Sequence, residues 1–568
     1  MRLFLYIFIF IIVSSCSKEV NELSDIPKFS DVEDLISHTS EFDKNIYSYD
    51  TPGGLIHIAV GFGIANSIMI EGQEGNIIID VTDSTSEAEK VYALFKEKNP
   101  NPIEAIIYTH NHGDHTFGAE YFINSQKKRP KIIAHESTDY YVQRIMGIIN
   151  PIISKRSTRM FGTILPEEQF INVGIGPSLN VSDSPIGYVK ADTTFTDELK
   201  ITIAGINLEL YHAPGETNDQ IFVWLPEHKA LMPGDNIYNT FPNLYTIRGT
   251  THRNVIGWID SLDHMRALNP QYLLPSHTKP ISGEDVADAL TVYRDAIQFI
   301  HDQTIRLMNE GYYPDEIIEM IDLPEEIASS SFLREFYGTV RWSVKSIFNG
   351  YLGWFNGNPA DLDPLSRKEE AIRISELAGG KEQLFSQLEI AIKKEDMQWG
   401  LQLAEHLINL NYKIKETNSL KSQALYYEGI RSSNPNKRNY FLTVAMELDP
   451  EFEGFPDVIR SESVVNEIDT DTILNLLSVS LNPDNIYKDN YAVCFQFSSG
   501  KERTIRIRNR VAEISKNINS CDLKVTTSES TFKYILAGIK NPVAQIASNN
   551  IKVDGGEVNF LKFLTSFK

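Results

Sequence analysis

The sequence predicts an α/β protein: a domain of mixed strands and helices, then a helical region, then a small α+β domain. Three observations support this order. Short apolar strands alternate with helices over residues 55–285. Apolar side chains then recur at helical spacing up to about residue 450, and strand-like segments return beyond residue 457. A length of 568 residues is enough for three or four domains of about 150 residues each.

The composition is that of a globular protein with an acidic surface. Hydrophobic residues make up 42% of the chain, and 53 basic against 76 acidic residues give a net charge of −23 at pH 7. This negative charge argues against nucleic acid as a partner, and an anionic substrate would need local positive charge. Three cysteines are too few for a disulfide scaffold or a cysteine-rich metal site.

The N-terminus has the pattern of an export signal. Leu3–Val13 carries no charge and is too short for a membrane span of about 20 residues, and Arg2 precedes it. The run ends in Val-Ser-Ser-Cys, which resembles a bacterial lipobox whose cysteine, Cys16, carries a lipid. We expect a lipoprotein signal peptide over residues 1–16, a tether over residues 17–30, and a lipid-anchored protein in the periplasm or on the outer surface. The alternative is a plain secretory signal with an incidental cysteine.

The first folded domain is expected over residues 31–300. It begins with a β-meander that leads into a buried strand ending at Asp80, and a helix follows over Glu87–Lys98. The strand Ile103–Tyr108 then runs into a cluster of histidines. Further strands are predicted at Lys131–Ala134, Leu208–Tyr211, Ile221–Leu225 and Tyr272–Leu274.

Helical patterns dominate the chain up to residue 450, with a helical domain expected over residues 301–450. A long helix ending near Gly311 is predicted by the spacing of Leu290, Tyr293, Ile297 and Ile300. Residues 457–568 are expected to form the α+β domain. Its predicted elements are strands at Tyr491–Phe497, Thr504–Ile507 and Leu523–Thr527, and helices near Asp471–Leu477 and Thr531–Ala537. Cys494 and Cys521 would either pair or remain free thiols.

The strongest functional signal is Thr-His-Asn-His-Gly-Asp-His at residues 109–115, in the pattern HxHxDH. It directly follows a buried strand, so its ligand-type side chains should share one loop and point into one volume. Imidazole and carboxylate groups without sulfur favour zinc. Gly113 is expected to permit the tight turn. Asp114 and His115 are expected to point away from the first two histidines, as a second metal ion requires.

This motif resembles that of the metallo-β-lactamase superfamily, which implies an αββα sandwich that holds two zinc ions. The resemblance implies a set of seven ligands: His110, His112 and Glu216 for one ion, Asp114, His115 and His277 for the other, and Asp235 as the bridge. Where Glu216 stands, after Pro-Gly, the general fold has a histidine, and Asp219 is the rival ligand at this end of the site.

Two metal ions can lower the pKa of a bound water towards about 7, so metal-bound water, aided by Asp235, is the expected nucleophile. No nucleophilic side chain is then required. Asp80 is expected either to orient the HxHxDH loop as an acceptor behind it or to be a plain cap at the end of its strand.

Further segments resemble the alkyl/aryl-sulfatase family of this superfamily. Asn243 and Arg248, eight and thirteen residues after Asp235, match its sulfate-binding segment, and an amide with a planar guanidinium suits sulfate. Tyr188 matches its substrate-side loop. The aromatic-rich residues 335–360 match the start of its dimerisation domain, which implies a homodimer. The C-terminal domain then falls where the family has a sterol-carrier-like domain with an apolar cavity.

The resemblance implies a dizinc hydrolase of alkyl, or aryl, sulfate monoesters, with attack at carbon or at sulfur left open. Gly-Glu-Thr at residues 215–217 and Gly-Asp-Asn at residues 234–236 depart from the Gly-Thr-Glu and Ala-Glu-Asn that linear alkyl-sulfatases usually carry. The alternatives are a dizinc hydrolase of another ester, lactone or β-lactam, and a lipid- or surfactant-binding lipoprotein with a vestigial site. The clamp of Asn243 and Arg248 speaks against a neutral lactam, and the full ligand set speaks against a vestigial site.

Overall fold

The computed structural model describes residues 30–179, 186–455, 462–517 and 520–567. The expected signal peptide, Cys16 and nearly all of the tether lie outside the described residues, so lipid anchoring stays a prediction. Within the described ranges, no helix combines the length and the apolar character that crossing a membrane would need.

The first of two sheets packed face to face has seven strands in sequence order. Its first four strands pair antiparallel, and the pairs from the fourth to the seventh strand are parallel. The strands are β1 (Asn45–Thr51), β2 (Gly54–Val60), β3 (Ser67–Glu71), β4 (Asn76–Ile79), β5 (Ile103–Ile107), β6 (Lys131–His135) and β7 (Thr193–Phe195). The parallel strands place the ends of β4 and β5 at the same sheet edge, where the HxHxDH loop begins.

The second sheet has six strands in the order β13-β12-β11-β10-β9-β8, with one parallel pair, β11 and β12. Its strands are β8 (Glu198–Ile203), β9 (Ile206–His212), β10 (Ile221–Leu225), β11 (Ala230–Met232), β12 (Tyr272–Leu273) and β13 (Ile281–Ser282). Aliphatic side chains from both sheets form one buried core between them, including Ile58, Ile77, Leu210 and Val223. This is the sheet-on-sheet packing expected of a sandwich.

Helices cover both outer faces of the sandwich, which confirms the αββα architecture. The helices up to residue 309 are α1 (Ser30–His38), α2 (Thr85–Lys98), α3 (Gly113–Thr116), α4 (Ala119–Asn124), α5 (Thr138–Met146), α6 (Asn150–Phe161), α7 (Val255–Ala267) and α8 (Asp285–Asn309). Helices α2, α4 and α5 share a core with the first sheet. Helices α7 and α8 share one with the second sheet.

Helix α8 is continuous, so the expected boundary between residues 300 and 301 falls inside one helix. The core on the second sheet continues past it as far as Phe348, because later helices add their apolar faces to the same cluster. The sandwich and the start of the helical region are therefore one packed unit.

The helical region is confirmed, and its first part packs on α8. Its helices are α9 (Pro314–Ile317), α10 (Glu325–Ala328), α11 (Val340–Leu352), α12 (Arg367–Leu377), α13 (Lys381–Lys393), α14 (Met397–Asn409), α15 (Ile414–Arg431) and α16 (Pro435–Glu447). Helices α12 to α15 share a separate core. Helix α16 packs on α6, where the Arg159 guanidinium pairs with Glu447 at 2.5 Å.

The C-terminal domain is a five-stranded sheet in the order β16-β15-β14-β17-β18, with helices that share its core. Its strands are β14 (Tyr491–Phe497), β15 (Glu502–Arg508), β16 (Val511–Ser515), β17 (Leu523–Thr527) and β18 (Ile551–Asp554), and its helices are α17 (Glu462–Glu467), α18 (Thr470–Val479), α19 (Glu529–Leu536), α20 (Pro542–Ala547) and α21 (Glu557–Leu564). Cys494 and Cys521, left open by the sequence, form a disulfide.

One side chain of the sandwich joins this domain to helix α5. The Gln143 side-chain amide donates to the Glu467 carbonyl oxygen at 2.8 Å and accepts from the Asp469 amide at 2.9 Å. Gln143 is buried. Since both polar atoms of the Gln143 side chain form hydrogen bonds with the C-terminal domain, they fix the position of that domain relative to helix α5.

Candidate metal centre and substrate cavity

The HxHxDH motif begins on the loop after β5, which carries His110 and His112, and continues into the short helix α3, which carries Asp114 and His115. Backbone hydrogen bonds fix the loop, since the Val81 amide donates to the His115 carbonyl oxygen at 3.0 Å. Gly113 is needed for close packing rather than for a left-handed turn. A β-carbon there would lie 2.4 Å from the Phe117 ring.

The structure brings all seven expected ligand side chains together. They form two groups, in each of which the candidate ligand atoms lie within 4.8 Å of one another: His110, His112, Glu216 and Asp235, and Asp114, His115 and His277. The first group is buried, and in the second only Asp114 is partly exposed. These groups match the division into two metal sites that the sequence suggests.

The Asp235 carboxylate lies between the two groups. One oxygen, Oδ2, is 3.5 Å from His110 Nε2 and 3.1 Å from His277 Nε2, and Oδ1 is 3.4 Å from His115 Nε2. Three buried ligand-type atoms here have no hydrogen-bond partner among the described residues: His115 Nε2, Glu216 Oε2 and Asp235 Oδ1. Unpartnered atoms of this kind are costly unless something binds them, so the donor set fits metal ions.

Burial and mutual charge set the ionisation of these groups. Burial, together with neighbouring His115, lowers the pKa of His110 to about 3, so its imidazole is neutral. Burial alone would raise the pKa of Asp235, but His115, His277 and His110 hold it well below its usual range. A neutral His110 and an ionised Asp235 are in the protonation states that metal ligands require. Burial alone would lower the pKa of His115 and of His277, but Asp235 and Asp114 raise both above the usual range, so binding of a metal ion there would have to displace a proton.

Asp80 supports this loop from behind. Its carboxylate accepts from the Thr109 amide at 2.8 Å, from the Thr109 hydroxyl at 2.9 Å and from His115 Nδ1 at 2.7 Å. It also accepts from the hydroxyl of Ser276, the residue before His277, at 2.9 Å. Asp80 thus holds the Nδ1 side of His115 and leaves Nε2 for a metal, the arrangement expected of a residue that orients a ligand.

Asp219, the rival to Glu216, belongs to neither group. It is buried and accepts a hydrogen bond from the side-chain amide of Asn111, so it supports the same loop instead. Glu216 itself has a partner that the motifs did not reveal. The Arg253 guanidinium, also buried, lies 2.9 Å from Glu216 Oε1. Burial raises the pKa of Glu216 to about 8, and Arg253 acts in the opposite direction.

The expected sulfate clamp is only partly in place. Arg248 is half-buried, lines the cavity beside the metal centre, and has Nη2 2.9 Å from His112 Nε2. Asn243 is fully buried and is absent from the cavity lining, and neither polar atom of its side chain has a hydrogen-bond partner among the described residues. The structure therefore brings Arg248, but not the Asn243 side chain, to the substrate space.

The structure does not place Tyr188 at the site. Its side chain is buried in the core under the first sheet, and its hydroxyl donates to Asp139 at 3.1 Å. It is absent from the cavity lining. The ring packs beside Tyr108, so the described geometry does not support the expected contact with substrate, which stays a prediction.

A cavity of about 250 Å³ extends from the metal centre into an apolar space between two domains. Its polar end includes His112, Asp114, Glu216, Asp235 and Arg248. Its apolar wall comes from α5, α6 and the C-terminal domain, with Ile145, Met146, Ile153, Phe161, Ile473 and Leu476. Sequence patterns missed α5, α6 and this wall, since short helices of mixed composition give no distinct signal.

Three family models match consecutive parts of the chain. The metallo-beta-lactamase superfamily model covers residues 60–277, the alkyl sulfatase dimerisation model residues 313–451, and the alkyl sulfatase C-terminal model residues 459–568. These ranges follow the sandwich, the helical region and the C-terminal domain.

Curated relatives and a solved structure agree with the family models. A linear primary-alkylsulfatase from a Pseudomonas species is 34% identical over 518 residues, which cover 88% of this chain and 98% of the relative. An (R)-specific secondary-alkylsulfatase from Pseudomonas is 27% identical, over 87% of this chain and 77% of the relative. The inverting sec-alkylsulfatase Pisa1 from Pseudomonas shares the fold, with a TM-score of 0.85 at 24% identity over 96% of this chain and 88% of that one.

We predict that Asp80→Asn weakens zinc binding about ten- to a hundredfold, the usual effect of losing a residue that orients a metal ligand. An amide cannot accept from all four donors that the carboxylate satisfies. Zinc affinity is measured by competition with a chromogenic chelator. Ser276→Ala, which removes only one of the four hydrogen bonds, is the control and should have a smaller effect. Wild-type affinity in Asp80→Asn would contradict the role.

Proposed function

The chain belongs to the alkylsulfatase family of the metallo-β-lactamase superfamily, and from that premise we propose that it is a dizinc hydrolase of sulfate monoesters of alkyl alcohols. One observation carries the proposal: a single cavity has a metal-type donor set and an arginine at one end and an apolar wall at the other. An alkyl sulfate has the same division, with an anionic head and an apolar chain.

Seven side chains would hold the metal ions, one ion on His110, His112 and Glu216 and the other on Asp114, His115 and His277, with Asp235 shared. Two zinc ions bound there would supply Lewis acidity and a water acidic enough to act as hydroxide at neutral pH. Asp235, buried and ionised within 3.5 Å of histidines from both groups, would supply negative charge to both positions.

Arg248 would bind the sulfate head. It lies at the polar end of the cavity, on a segment fixed from outside by Arg156, whose Nε donates to the Ile247 carbonyl oxygen at 3.0 Å. A guanidinium presents paired donors to a tetrahedral oxyanion and stays charged at every physiological pH. This local positive charge also explains how a chain with a net charge of −23 would accept an anion.

The apolar wall would bind the alkyl chain. Helices α5 and α6 contribute one side and the C-terminal domain the other, and Gln143 holds the two together. Each methylene buried against such a wall contributes about 0.8 kcal/mol. The affinity for substrate should therefore rise with the length of the alkyl chain.

We predict sulfate release from alkyl sulfates with kcat/KM rising about three- to fourfold per added methylene until the chain fills the cavity, as about 0.8 kcal/mol per methylene requires. Sulfate is quantified with octyl, decyl and dodecyl sulfates. A panel of phosphate, lactone and β-lactam substrates serves as the control. Turnover of a neutral lactone or lactam with no reaction on sulfates would contradict the proposal.

We predict that Arg248→Ala lowers kcat/KM for alkyl sulfates about ten- to a hundredfold per lost charge-assisted bond, each worth about 1.5–3 kcal/mol. Arg248→Lys keeps the charge without the planar fork and should be impaired less. Zinc content by mass spectrometry should stay at the wild-type level in both variants, which separates this effect from loss of a ligand. An unimpaired Arg248→Ala would exclude the clamp.

We also propose that the enzyme is a homodimer. The expected interface segment divides in the structure: Phe336 and Phe348 are core, whereas Tyr351, Leu352 and Trp354 are more than half exposed. Leu377 on α12 is 85% exposed. Apolar exposure concentrated on the region that matches a dimerisation model is typical of a surface that binds a second copy.

We predict that Leu352→Asp combined with Trp354→Asp shifts the protein to monomer. The two substitutions would place charges where the interface buries large apolar side chains, and an interface hot-spot residue contributes about 2–4 kcal/mol of binding free energy. Light scattering at micromolar concentration measures the mass. Val511→Asp is the matched control, since Val511 is 61% exposed but lies in the C-terminal domain. A wild-type monomer would contradict the assembly.

A further inference from the structure

Arg253 is a buried arginine that neither the sequence motifs nor the proposed function employs. Its side chain is 2% exposed and does not line the cavity. Its two terminal nitrogens reach different parts of the site. Nη2 lies 2.9 Å from Glu216 Oε1, and Nη1 donates to the Asn243 carbonyl oxygen. Since removing a guanidinium from water is costly, these two contacts are what stabilise it in this position.

The first contact selects an oxygen of Glu216. Arg253 occupies Oε1, and Oε2 is left with no hydrogen-bond partner among the described residues. Glu216 shares its group with His110, His112 and Asp235. Carboxylate ligands are normally hydrogen-bonded by a neighbouring group that fixes their orientation. Arg253 is this neighbour, as an ion-pair partner of Oε1 without a hydrogen bond to it, so Oε2 is the oxygen available to a metal ion.

The second contact holds the segment that carries Arg248. Asn243 begins this segment, and its amide also donates to the Tyr238 hydroxyl at 3.1 Å. At the other end, Arg156 donates to the carbonyl oxygen of Ile247. Two arginines thus hold two carbonyl groups on either side of a short loop. Only Arg253 also contacts a candidate metal ligand.

We propose that Arg253 is a positioning residue that couples the metal centre to the sulfate-binding loop, an inference that rests on the proposed function. The planar fork of arginine brings one nitrogen to the Glu216 carboxylate as an ion pair and another to the loop carbonyl as a hydrogen-bond donor, which one ammonium group cannot do. The orientation of the metal ligand and the position of Arg248 then depend on a single side chain.

The test compares three arginine-to-methionine variants of the full chain. Arg253→Met should weaken zinc binding about ten- to a hundredfold and also weaken binding of inorganic sulfate to the zinc-loaded protein. Arg156→Met, which affects only the loop, should weaken sulfate binding and leave zinc affinity unchanged. Arg438→Met is the control. Arg438 is also buried, but it donates to the carbonyl oxygens of Ile430 and Gln169, neither of which belongs to the metal centre or lines the cavity. It should change neither affinity.

Zinc affinity is measured by chelator competition and sulfate binding by calorimetry, so neither readout needs turnover. If the wild-type protein binds zinc and Arg253→Met binds it with the same affinity, this inference alone is overturned. A wild type that binds no zinc overturns the proposed function as well. If Arg253→Met does not fold, Arg253→Lys carries the test, because its ammonium group cannot serve both acceptors. Wild-type affinity for both zinc and sulfate in that variant overturns the proposal.

Discussion

The metal centre depends on one buried carboxylate, that of Asp80. It accepts hydrogen bonds from Thr109 and His115 in the HxHxDH segment and from Ser276, so two segments that are distant from each other in the chain meet on its two oxygen atoms. The residue itself adopts a left-handed conformation, with φ of 55°. That strain costs on the order of 1–2 kcal/mol, which the four hydrogen bonds to a charged acceptor offset. Asp80 therefore links the ligands that follow β5 directly to the ligand that follows β12.

An acidic protein can bind a substrate with an anionic head if its positive charges lie at the binding site and its excess negative charges lie elsewhere. The excess of acidic residues is spread over a surface in contact with water and salt, where it is screened over about 8–10 Å. Arg248 lies beside the metal centre in a half-buried cavity, where screening is much weaker. Local placement therefore decides the sign of the field that an anion meets, whatever the total charge.

Much of this site could be predicted from sequence, because its residues follow strands whose patterns are plain. The HxHxDH loop, Glu216, Asp235 and His277 each follow a recognisable apolar segment, and the resemblance places them in order along the chain. The sequence did not show that Tyr188 and Asn243 are buried outside the cavity lining, because a motif gives spacing along the chain and not the direction of a side chain. Arg253 left no signal, since a buried arginine is recognised only when its acidic partner is known. The family and the fold expected from the motifs are confirmed, although the continuous helix α8 crosses the boundary drawn from composition.

The two hydrogen bonds between the Gln143 side chain and the C-terminal domain have a consequence for the order in which this protein folds. The partners of Gln143 lie more than 320 residues later in the chain, and so does the apolar wall that α18 contributes to the cavity. A chain emerging from the ribosome presents the sandwich, with its candidate metal-binding side chains, well before that wall exists. Until the last domain has folded and docked on α5, the apolar face of α5 and α6 stays open to water and to other chains. The order of synthesis therefore makes completion of the substrate space the last step of maturation, and an early stop in translation leaves a metal-binding sandwich whose cavity has one side missing.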